Sequence, residues 1–133
     1  MQVYCMQEKI IAHFLNKKLL KGFSEDFSQD KYFFNIADKD TQDKLEIALL
    51  LLKAVFFVKD FEGNMVYQEK HDVERTDVGR KVKIQFKDNE TIIGYTPGFS
   101  PANIGFFLYP LDPQSNNVKI FVINANTEKI LFL

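Results

Sequence analysis

The sequence predicts an all-β protein built as two small five-stranded barrels in tandem, from an internal duplication. The first observation is that residues 9–42 fall on residues 81–114 at a shift of 72, without a gap. Eight identities result: Lys9/Lys81, Phe14/Phe86, Gly22/Gly94, Phe27/Phe99, Ser28/Ser100, Phe34/Phe106, Asp40/Asp112 and Gln42/Gln114. About two would arise by chance at ordinary composition, and a repeat constrains architecture before any local reading does. The second observation is strict alternation of polar and apolar residues over 81–86, the period of a half-buried strand. The third is the spacing of turn residues, which cuts each copy into five short segments.

In the second copy the strands are 81–86, 91–95, 105–109, 118–122 and 129–133. A polar hairpin, 87–90, joins the first two, and Gly94 marks a bend where the second strand curls. Pro97 and Pro101 sit in the loop that follows, Pro110 and Pro113 end the third strand, and 124–126 turns the chain into the last. The first copy gives strands at 10–15, 19–23, 32–36, 45–50 and 54–58. Residues 43–57 also show helical spacing, with Leu45, Leu49, Leu52 and Phe56 recurring. The repeat decides for strands: at a shift of 75 this segment lies on 118–132, which is β-branched, broken by asparagines and a poor helix. The organisation expected is a first barrel at 1–58, a charged linker at 59–80 with a possible extra strand at 65–67, and a second barrel at 81–133. Barrel closure would remove the edges that so small a sheet exposes.

Composition narrows the function. The net charge is −1 and no basic stripe appears, so the electrostatic footprint of a nucleic-acid binder is missing. The lone cysteine, Cys5, has no partner for an internal disulfide. Apolar runs are too short to span a bilayer as a helix, and no secretory leader is read at the N-terminus, so the expectation is a cytoplasmic protein.

The hairpin sequence Phe86-Lys87-Asp88-Asn89-Glu90, the glycine four residues on and the closing Ile130-Leu131-Phe132-Leu133 resemble the SH3-like or Sm-like barrel plan. The chain as a whole resembles an uncharacterised bacterial domain family with two such halves, on residues 52–63, 82–90, 105–108 and 112–117. That resemblance implies no catalytic residues. An Sm-like plan would imply RNA bound in loops. The loops here hold Pro97-Gly98-Phe99-Ser100 and Asn124-Ala125-Asn126, which do not match its Asp-x-x-Asn and Arg-Gly or Lys-Gly steps. Fold alone does not confer function.

Chemistry-bearing residues are sparse. His13, at the place of Gln85, reads as a solvent-facing strand residue; His71 reads as linker surface and Cys5 as a small apolar residue. Neither a zinc spacing nor a phosphate-cradling glycine loop occurs, and the acidic run 38–43 lacks the glycine and terminal glutamate of a calcium loop. Arg75 and Arg80, the only arginines, precede a barrel much as the Arg-x-x-x-Arg segment does in PilZ-type cyclic-dinucleotide receptors, though one residue further apart and without the companion Asp-x-Ser-x-x-Gly. The matched loops carrying Phe23, Phe27, Tyr95, Pro97 and Phe99 are the candidate partner surface. The reading is a non-enzymatic interaction or regulatory module without cofactor or metal, whose partner is another protein or a second copy. The alternatives are an anion sensor using Arg75 and Arg80, and an Sm-like RNA binder.

Overall fold

A computed structural model describes residues 8–63 and 78–133. The ten strands are β1 Glu8–Phe14, β2 Leu19–Ser24, β3 Phe33–Asp38, β4 Lys44–Ala48, β5 Leu52–Val58, β6 Arg80–Phe86, β7 Thr91–Thr96, β8 Gly105–Pro110, β9 Asn117–Ile123 and β10 Thr127–Phe132. Single 3₁₀ turns, Leu49–Leu51 and Asn124–Asn126, carry β4 into β5 and β9 into β10. The helical spacing over 43–57 is thus a strand, a tight turn and a second strand. The expected extra strand at 65–67 lies outside the described residues.

All ten strands belong to one antiparallel sheet, ordered β10-β6-β7-β8-β9-β5-β1-β2-β3-β4. The two closed barrels expected from the sequence do not form: the sheet is open, and β4 is not bonded to β5 nor β9 to β10. Instead β5 pairs with β9, Val55 opposite Phe121 and Phe56 opposite Ile120, and this ladder joins the halves. The order within each half is nevertheless the same, and so is the register. Ile10 faces Gly22 and Phe57 as Val82 faces Gly94 and Phe132. The hairpins agree too, with Lys17 and Asn89 both at positive φ and the Phe14 and Phe86 amides donating to the carbonyls of Lys18 and Glu90.

Two apolar cores lie on opposite faces of the central strands. Phe34, Ile36, Leu52, Val55 and Phe57 build the first with Phe121 and Ile123 of the second half. Val82, Ile84, Phe86, Phe106 and Leu108 build the other with Ala54, Phe56 and Val58 of the first. A strand covered on both faces has no reason to alternate, which is why 54–58 and 120–123 read as unbroken apolar runs. Gly22 and Gly94 each sit where a neighbouring strand comes close: a Cβ on Gly94 would stand 2.5 Å from the Tyr109 carbonyl oxygen, and one on Gly22 would collide with the Ala37 carbonyl.

Candidate functional site

The polar centre of the molecule sits where the halves meet. Phe14 opposes Leu52 and His13 opposes Ala54, so Lys53 is the extra residue of a β-bulge in β5. The bulge turns a lysine out of an apolar run toward the β6–β7 hairpin. There its buried ammonium lies 2.9 Å from Asp88, 3.0 Å from Glu90 and 4.9 Å from the Phe86 ring centroid. His13 stacks on Phe56 with ring centroids 4.0 Å apart. It is half-buried rather than solvent-facing as the sequence suggested. Burial and the Lys53 charge lower its pKa to about 4, against an opposing pull from Glu90. His13, Lys17, Lys53, Asp88 and Glu90 line an open cleft of about 430 Å³. Such a histidine is a weak base at neutral pH. Among the described residues no group of three or more His, Cys, Asp or Glu side chains is placed to hold a metal.

Other polar ties cross the same seam. The Asn126 amide donates to the carbonyls of Leu50 (3.0 Å) and Leu52 (2.7 Å). The Asn116 amide donates to the Asp60 carbonyl and accepts from the Asp60 N–H.

The matched aromatic loops are occupied largely by packing. Phe27 makes edge contacts with Phe34, Phe57 and Phe121, Tyr95 is buried, and Phe99 packs on Phe106 and Phe132. Phe23, half-buried, meets Phe61, and Pro97 is exposed. Arg80, at the start of β6, lies with its guanidinium 4.5 Å from the Phe132 centroid. Cys5, His71 and Arg75 lie outside the described residues.

The surface that sequence reasoning missed is at the ends of the sheet. Among the described residues β4 and β10 each have one side without a strand neighbour. Both carry exposed apolar side chains: Leu45 on β4, and Leu131 and Phe132 on β10, with Leu133 beyond it. The repeat and the spacing of turns placed these residues in strands, but neither tells an inner strand from an outer one. Elsewhere, among the described residues, no helix is long and apolar enough to cross a membrane.

A family model described as "Family of unknown function (DUF6982)" covers residues 6–133. No curated protein and no solved structure matches.

Proposed function

Given that the chain belongs to that family of unknown function, we propose from its geometry that it is a non-enzymatic interaction module that takes up protein strands at its free sheet edges. The carrying observation is the pair of edges unpaired among the described residues, β4 and β10, with exposed leucine and phenylalanine side chains. An open edge offers a row of free backbone donors and acceptors. An incoming strand is bound by main-chain hydrogen bonds, and alternate side chains set its selectivity. Edges that are not used in this way are ordinarily blunted by lysine, proline or bulges; β10 has Lys129 and a bulge at its start and β4 begins at Lys44, but Ile130, Leu131 and Phe132 run on without any of these. The weakly basic His13 and the carboxylate-paired Lys53 are consistent with a structural seam rather than a reactive centre.

We read the shared order and register of the halves as a duplicated five-stranded module of SH3-like or Sm-like plan, with what was copied being scaffold. The test is a titration of short extended peptides, apolar at alternate positions, against the wild type and a Leu45→Lys/Leu131→Lys double variant. Binding by the wild type and its loss in the variant are expected. No binding, or equal binding by both, overturns the reading.

A further inference from the structure

We infer that the occupant of these edges is a second copy of this chain: β10 of one copy pairs with β4 of the next, head to tail. The inference rests on the reading of the edges as docking surfaces and names what docks. Its warrant is the joint already inside the chain. At a shift of 75, β5 corresponds to β10, as the equivalent β1–β5 and β6–β10 registers require, and β4 to β9, as the equivalent β3–β4 and β8–β9 registers require. The β5–β9 ladder therefore joins a fifth strand to a fourth strand, and the edges free among the described residues are the remaining fifth and fourth strands. Transferring the β5–β9 register gives Leu131 opposite Leu45 of the neighbour, as Phe56 is opposite Ile120. Phe132 falls opposite Lys44, as Phe57 is opposite Lys119.

The side chains fit the transfer. Phe56 is 8%, Phe57 2% and Ile120 3% exposed at the existing joint, whereas their counterparts Leu131, Phe132 and Leu45 are 42%, 41% and 44% exposed. Lys119 lies 4.9 Å over the Phe57 ring, and its counterpart Lys44 would reach the Phe132 ring in the same way. Two further pairs are less apolar than at the internal joint, Lys129 falling opposite Ile47 and Ile130 opposite Glu46 where Ala54 is opposite Val122 and Val55 opposite Phe121, and one ion pair inverts. Glu8 stands 3.8 Å from Lys119, but its counterpart is Arg80, which would face Lys44 of the neighbour. The intermolecular joint therefore carries a like-charge pair where the internal one has an ion pair, so added salt should strengthen it. Because the two surfaces differ, the association is heterologous and gives rings where the rotation closes and filaments where it does not.

Two variants test the register, each carrying Cys5→Ser: Leu45→Cys and Leu131→Cys. Under mild oxidation a disulfide-linked dimer should form when the two are mixed and not in either alone. Light scattering of the wild type should show mass rising with protein concentration and with salt, and a Leu45→Lys/Leu131→Lys variant should stay monomeric. Disulfides in the single-variant samples as abundant as in the mixture, or a wild type monomeric at every concentration, overturn the inference. A monomeric wild type that still binds extended peptides leaves the edge-docking reading standing and removes only the self-partner.

Discussion

His13 shows how one side chain reports on the seam. Its folded pKa, about 4, lies below the 6.5 of an unfolded histidine. Between these values the unfolded chain binds the extra proton, so the stability contributed by neutral His13 is full above 6.5 and is lost as pH falls toward 4. His13→Gln, which places there the residue found at position 85, should remove this dependence. Urea midpoints of wild type and variant should diverge with pH across that window by an energy on the order of 1 kcal/mol, the half-exposed ring being partly screened. Lys53→Met should raise the His13 pKa toward 6.5, read by NMR titration, because it removes the lowering charge. Gly94→Ala tests the crossing of β7 and β8: a Cβ 2.5 Å from a backbone oxygen forces the strands apart, and a loss of about 2 kcal/mol or more in denaturant unfolding is expected.

At the scale of elements, the bulge at Lys53 and the turn at Leu49–Leu51 decide which sides of β5 meet which core. All ten strands were legible because alternation, glycine crossings and proline stops act locally, and because the repeat overruled the helical spacing of 43–57. The pairing of β5 with β9 was not legible. It depends on which apolar face finds another, and 54–58 looks the same whether it closes its own barrel or joins a second half. The Lys53–Asp88–Glu90 cluster was hidden for the same reason, since its members lie in different halves and none is unusual alone. Asn126 ends one 3₁₀ turn, and its side-chain amide donates to the Leu50 carbonyl in the other and to the Leu52 carbonyl at the start of β5. Asn126→Ala removes both hydrogen bonds, the one to Leu52 in a buried site, and should cost about 1–3 kcal/mol in urea unfolding.

For the whole molecule, each core contains side chains from both halves. Removing the second half strips Phe121 and Ile123 from the first core; removing the first strips Ala54, Phe56 and Val58 from the other. A five-stranded unit of this size has little core of its own and would expose the all-apolar face of β5 or β9. Folding should therefore be a single transition, although the repeat suggests two units. Phe34→Ala and Phe86→Ala, one in each core, should each lose about 3–5 kcal/mol. Both should lower the midpoint of one common unfolding curve, followed by near-ultraviolet circular dichroism and by amide exchange in β1 and β6. If Phe34→Ala released protection in β1 while β6 stayed protected to its wild-type level, the halves would be separate folding units. The central ladder would then be a contact between finished domains rather than the part that completes them.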